Sequence, residues 1–267
     1  MTHAQRHHPR LTALGVIGEL FLTVGILILL FAVYESFWTN IESAKLQAEA
    51  NTELNDTWNS AAERVNPRQK LRPELGTAFA KMHIPSFGSD FSFAIIEGTD
   101  DASLLAGPGH YADTQMPGQP GNFAVAGHRV GKGAPFNDLG ALRSCDAIVI
   151  ETADAWNTYR VAPMAADPDQ RRQEAAHCLN PEQVDRLAQG DYQDLRGRFI
   201  TVPSDVSTIG ARPGIIGQEA TSDMEPVLTL TTCHPQFSNA ERMIVHAMLA
   251  DSHPKDGSYI PPILEGR

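Results

Sequence analysis

The sequence predicts a mostly β domain, a barrel or a sandwich, carried on one membrane-spanning helix. Three observations carry that expectation. Residues 11–34 form an apolar run of about 24 residues whose only charge is Glu19. From Ala78 onward the texture changes to eight short apolar runs separated by Gly, Pro, Asn and Asp, the spacing of strands and turns. With 267 residues, 42% of them hydrophobic and 20% charged, the chain is long and apolar enough for one buried core with appendages.

The elements follow in chain order. A helix over residues 11–34 crosses a hydrocarbon core of ~30 Å with some tilt, at ~1.5 Å rise per residue. A cleaved signal peptide would have a shorter apolar region and a small-x-small cleavage site, whereas Tyr34, Glu35, Ser36, Phe37 and Trp38 follow here. Arg6 and Arg10 flank the N-terminal side and Glu35, Glu42 and one Lys45 the other, so residues 1–10 are expected in the cytoplasm and the rest outside. Glu19 inside the span costs ~2.5 kcal/mol or more unless it snorkels, is protonated or faces another helix.

Residues 35–75 are rich in Ala, Glu, Leu and Gln with scattered apolar points at Trp38, Ile41, Leu46, Leu54 and Trp58, which suits a helical stalk lifting the body off the bilayer. The body is expected over 76–252. Its strand-like runs are AFAKMHIP, FSFAIIEG, GNFAVAGH, DAIVIET, TYRVAP, RFITVP, PVLTLTTC and RMIVHAMLA. Between TYRVAP and RFITVP, residues 164–198 break the pattern. Asp167-Pro168 and Asn180-Pro181 each set an N-cap residue before a proline suited to a first helical turn. Two short helices, from Pro168 to His177 and from Pro181 to Gln189, are expected in this insertion. Residues 253–267 read as an irregular tail.

Composition removes several functions. The balance of 21 Lys+Arg against 32 Asp+Glu gives a net charge of −11, so nucleic acid is not an expected partner. Three cysteines without a CxxC pair exclude a zinc ribbon or a disulfide-dense scaffold. No metal site is expected: His177-Cys178 are adjacent and so diverge, and Asp100-Asp101 reads as an ordinary acidic turn. No cofactor is expected either.

Cys233 ends the run VLTLTTC before His234-Pro235, so its sulfur sits where a strand gives way to a loop. Nine residues on, Arg242 opens the next run, and a connection of that length can return the chain antiparallel with Arg242 beside Cys233. A guanidinium there would favour a thiolate and stabilise an oxyanion. Among ten histidines, His128 has the best setting as proton carrier, at the end of FAVAG within AGHR. The plainer alternatives are a buried small hydrophobe at Cys233, a turn residue at His128 and a solvated cation at Arg242.

TLTTC at 229–233, ERMIV at 241–245 and AGHR at 126–129 together resemble a sortase, the membrane-anchored cysteine transpeptidases of Gram-positive bacteria. GPGHYADT at 107–114, GAPF at 133–136 and a GEL tripeptide inside the apolar run are most similar to class E sortases of high-GC organisms. The resemblance covers residues 11–163 and 199–250, and implies an eight-stranded sortase-type barrel. It implies that Cys233 attacks the Thr–Gly carbonyl of a C-terminal sorting signal, that His128 exchanges protons with the leaving and entering amines, and that Arg242 holds the substrate backbone and the developing oxyanion. Thr232 takes the position whose backbone or hydroxyl helps place substrate. Tyr111 matches a tyrosine associated with Leu-Ala-x-Thr-Gly over Leu-Pro-x-Thr-Gly; its plainer reading is a turn-capping aromatic.

The implied partners are sorting-signal-bearing surface proteins and a peptidoglycan-precursor amine, met at the cell membrane. A pilin-polymerising sortase is the same-chemistry alternative, and a non-catalytic envelope binding module the different one. On this resemblance the insertion falls in the loop that walls the sorting-signal groove, so it is expected to act as a lid or a specificity wall. With Cys233 reserved for chemistry, Cys145 and Cys178 are the natural disulfide pair in an oxidising exterior, against two separate buried thiols.

Overall fold

The computed structural model describes residues 12–61, 72–257 and 259–265. The expected cytoplasmic tail, with Arg6 and Arg10, lies outside the described residues, as does part of the expected stalk, residues 62–71. Helix α1 (Ala13–Val33) starts at Thr12, whose hydroxyl accepts the Gly15 N–H, and buries none of its side chains. An apolar helix exposed all round is stable only in an apolar surround, and α1 is long enough to cross a membrane.

A π turn over Tyr34–Trp38 carries α1 into α2 (Thr39–Ala61) without a break. The stalk expectation needs correction here, because α2 lies against the body rather than holding it away. Thr39, Ser43, Gln47 and Leu54 are all buried. The Gln47 amide replaces a strand neighbour: its Nε2 donates to the Ala94 carbonyl at 3.1 Å, and its Oε1 accepts the Ala94 N–H at 2.9 Å. The docking face runs through Thr39, Ser43, Gln47 and Leu54 at helical spacing, and most of it is polar. A search for apolar periodicity therefore does not see it.

The strands are β1 (Ala78–His83), β2 (Ser92–Glu97), β3 (Gly109–His110), β4 (Gly121–Ala126), β5 (Ala147–Glu151), β6 (Ala155–Val161), β7 (Arg198–Thr201), β8 (Pro226–His234) and β9 (Glu241–Pro254). Short helices α3 (Asp101–Ala106), α4 (Pro168–Ala175) and α5 (Pro181–Ala188) interrupt them. Eight strands close a barrel in the order β6-β5-β1-β2-β3-β4-β8-β9, with β9 pairing back onto β6. They are not quite the expected eight. Gly109–His110, too short to read as a strand, completes the ring between β2 and β4, whereas RFITVP, as β7, pairs only with the first part of β9 from outside. Strand β9 also runs on to Pro254, past the expected boundary at 252.

Alternation along β8 sorts its side chains. Leu228 and Leu230 point inward among Phe123, Val125, Val245 and Ala247, while Thr229, Thr231 and Cys233 fall on the outer face. The helical insertion packs outside the barrel at the opposite end of β8 from Cys233. Ala175, Leu179, Val184, Leu187 and Tyr192 cluster there with Val227 and Met248. Val227 and Cys233 are six residues apart on one strand, ~20 Å at ~3.3 Å per residue. Cys145 and Cys178 are bonded, with Cα atoms 5.7 Å apart, tying the insertion to the start of β5.

Candidate active site

Strand β4 runs parallel to β8, and their register ends at Ala126 opposite Thr231, two residues short of both His128 and Cys233. The bonds beyond that point keep the two ends together. The Gly127 N–H donates to the Thr231 carbonyl at 3.0 Å, and the Thr232 hydroxyl donates to the Gly127 carbonyl at 2.8 Å. On the far side of His128, Arg129 Nη1 reaches the Cys233 carbonyl at 3.4 Å and His234 Nδ1 at 2.6 Å. His128 is thus bracketed by residues that grip both sides of Cys233. Phe136 N–H donates to the His128 carbonyl at 3.0 Å, and any side chain at Gly127 would strike the Phe136 ring.

On the other edge of β8, the antiparallel ladder with β9 sets Arg242 directly opposite Cys233. Directly opposed residues share a face of the sheet, with Cβ atoms ~5 Å apart. Arg242 Nη1 donates to the Glu241 carbonyl at 3.0 Å and, at 3.4 Å, to the Asn239 carbonyl, which holds the guanidinium at the rim. Cys233 is half-buried, unbonded to any other cysteine, and its thiol lies 3.4 Å from Asn239 Oδ1. Asn239 sits in the β8–β9 connection and carries no pattern that sequence reading could have picked out.

Burial pushes the His128 imidazole below its ordinary pKa, with the positive charge of Lys132 adding to the shift and Asp101 opposing it. Its Nε2 is buried and has no hydrogen-bond partner among the described residues, an orphan that a reacting amine could satisfy. Of the other histidines, His246 bonds the Thr229 hydroxyl through Nδ1, and full burial pushes its pKa down to about 3. It stays neutral at physiological pH and belongs to the packing.

A cleft of about 110 Å³ opens beside Arg242, lined by Tyr111, Thr231, Ile244 and the segment that follows β7, from Thr201 to Ile209. That volume holds one or two side chains, not a whole peptide. Tyr111 bonds Thr231 through its hydroxyl at 3.1 Å and so forms part of the wall. Thr232 is elsewhere: its hydroxyl is buried and spent on Gly127, on the face of β8 turned away from the cleft. Any contact it makes with substrate falls to its backbone. None of residues 164–198 lines the cleft, so the insertion expected as a lid or specificity wall is not at this wall. The segment after β7 walls it instead, because β7 attaches to the first part of β9 next to Arg242. Among the described residues no group of His, Cys, Asp and Glu side chains could hold a metal ion.

Comparison with known proteins bears on what this arrangement is. A sortase-domain family model matches residues 82–250. Sortase SrtE1 of Streptomyces coelicolor is 30% identical over 259 residues, 94% of this chain; the chain spans only 61% of that relative's length. Among solved structures, the SrtF sortase from Corynebacterium diphtheriae is similar with a TM-score of 0.73 and 64% identity, over 76% of this chain and 98% of that one. Sortase E from Streptomyces avermitilis is 33% identical with a TM-score of 0.51, over 72% of this chain and 99% of that one.

Proposed function

This chain belongs to the sortase family, whose members are cysteine transpeptidases, and from that premise we propose that it cleaves a sorting signal of the Leu-Ala-x-Thr-Gly or Leu-Pro-x-Thr-Gly type between Thr and Gly and passes the acyl group to an amine. The observation that carries the reading is the cross-strand pairing of Cys233 with Arg242 while β4 delivers His128 alongside. The Cys233 thiol passes its proton to His128, the resulting thiolate attacks the Thr carbonyl carbon, and the carbonyl oxygen takes up negative charge against the Arg242 guanidinium. Collapse breaks the C–N bond as His128 hands a proton to the departing glycine amine. An incoming amine then loses a proton to His128, attacks the thioacyl carbon and releases the Cys233 thiolate. Arginine suits the oxyanion role because its fork of donors is planar and permanently charged.

Three finer points belong to the same proposal. The acceptor is the amine of a peptidoglycan-precursor stem peptide, so the product is a surface protein fixed to the cell wall. Helix α1 serves as a single-pass anchor with the N-terminus cytoplasmic and the barrel outside, a reading supported by its length, its apolar surface and the positive residues before it. Tyr111, bonded to Thr231 in the cleft wall, offers a phenol that can choose between alanine and proline at the second signal position.

The test is intact mass spectrometry of the full chain with each of the two peptides. A thioacyl adduct on Cys233 that disappears when an amine is added, and is absent in Cys233→Ala, supports transpeptidation. A folded protein that forms no adduct with either peptide would return the question to an envelope binding module.

A further inference from the structure

Helix α2 has a direction, and that direction orients the whole body. Its first turn meets the loop that follows His128, where the Lys132 N–H donates to Thr39 Oγ1 at 3.3 Å and the Gly133 N–H to Asn40 Oδ1 at 2.9 Å. Its last turns meet the other end of the barrel. Asn55 accepts from Lys81 Nζ at 2.7 Å, and Lys255, just past the end of β9, stands 3.7 Å from the centre of the Trp58 ring. Following the helix backward, through the π turn and into α1, therefore leads out of the barrel on the His128 side. Thr39 is six residues beyond Val33, the last residue of the apolar helix, a separation of ~9 Å along a helix.

The rim at that end is dressed for an interface. Phe37, Trp38 and Ile41, on the helix as it leaves the apolar segment, are 67%, 62% and 67% exposed. Across the mouth, Phe237 is 86% exposed in the β8–β9 connection, held at φ 63°, a conformation a bulky residue seldom adopts. That connection is tied to the His128 loop region by Gln236 Nε2, which donates to Asn137 Oδ1 at 2.8 Å. Tryptophan concentrates at the level of lipid headgroups, and exposed phenylalanine on an interfacial surface seats at the headgroup–acyl boundary.

We propose that the catalytic mouth faces the bilayer, with Phe237 seated in the headgroup layer opposite Trp38, so that Cys233 works at the membrane surface. The occupant of this rim is the lipid surface to which α1 belongs. The body is held face-down by the docked α2, so that a substrate reaches Cys233 laterally, along the membrane surface. The inference rests on the reading of α1 as a membrane anchor.

The experiment uses the full chain carrying Cys233→Ala, with Cys145 and Cys178 left bonded, reconstituted in vesicles of phosphatidylcholine and phosphatidylglycerol. Single thiols are placed at Phe237→Cys, at Leu22→Cys within α1 and at Ala153→Cys in the exposed β5–β6 turn at the far end. Each is labelled with an environment-sensitive fluorophore and challenged with lipids bearing a quencher high or low on the acyl chain. The expected result is quenching at Leu22 by the deep quencher, quenching with a blue shift at Phe237 by the shallow one, and neither at Ala153. Quenching at Leu22 with a Phe237 signal as water-like as that of Ala153 overturns the orientation while leaving the anchor intact. A Leu22 probe that no quencher reaches overturns the anchor and this inference with it.

Discussion

The two ends of strand β8 treat their polar groups in opposite ways. At the Val227 end, the insertion buries Arg171 almost completely and uses its whole guanidinium. Nε donates to the Leu187 carbonyl at 2.9 Å, Nη2 to that of Leu195 at 2.9 Å and Nη1 to that of Ala165 at 3.2 Å. Glu174 is spent as thoroughly on the Ser144 hydroxyl and the Met164 N–H. At the Cys233 end, the adjacent His128 and Arg129 supply two of the five buried side-chain polar atoms that lack a partner among the described residues. Backbone at positive φ gathers there as well, at Lys132, Ala134 and Phe237. The Val227 end is not free of such atoms, since Arg212 Nε, beside Asp191, is another; what sets the Cys233 end apart is that its unpartnered atoms sit on the two residues bracketing the thiol, where a ligand that comes and goes can use them.

The largest expected effect on stability breaks the closed end. Arg171→Met leaves buried carbonyls without donors and costs about 3 kcal/mol, read as a fall in the denaturation midpoint. Turnover per folded molecule stays as it was, since none of those carbonyls approaches the cleft. A parallel fall in turnover would show that the two ends are coupled. Next comes the disulfide. The double variant Cys145→Ser, Cys178→Ser should lose ~2–4 kcal/mol for a loop of this size, again with turnover preserved. A variant as stable as the parent would mean that Glu174 and Arg171 already hold the insertion unaided.

The smallest effect sharpens the open end. Lys132→Gln removes a positive charge that disfavours protonated His128, so the imidazole pKa rises while burial still holds it low. The protonated acid then persists to higher pH, and the His128 resonance in a magnetic-resonance titration moves up with it. An unchanged titration would leave burial as the sole cause of the depression.

Much of this contrast was legible in the sequence, and the missing parts share a physical cause. Cys233, Arg242 and His128 could be picked out because each sits at the end of an apolar run, and strand ends are where alternation stops. The insertion helices were legible from Asp167-Pro168 and Asn180-Pro181, and both asparagine and aspartate cap as written. What could not be read were contacts made by polar groups at long range. The docking of α2 depends on Gln47 and Asn40, which look like any solvated helix residues until Ala94 and Gly133 are brought to them. The ring strand β3 is two residues long, below any periodicity. The placing of the cleft wall after β7, not in the insertion, follows from a register against β9 that no local pattern encodes.

Steady-state transfer by Arg242→Lys tests the central claim, that Arg242 and Cys233 work as one unit across the β8–β9 ladder. Lysine keeps the charge but not the planar fork. The account predicts a fall in kcat of roughly 10²–10³, the usual cost of a lost oxyanion donor, with KM for the peptide little changed and the fold intact. Transfer at the parent rate would contradict it and return Arg242 to the role of a solvated cation at a strand end.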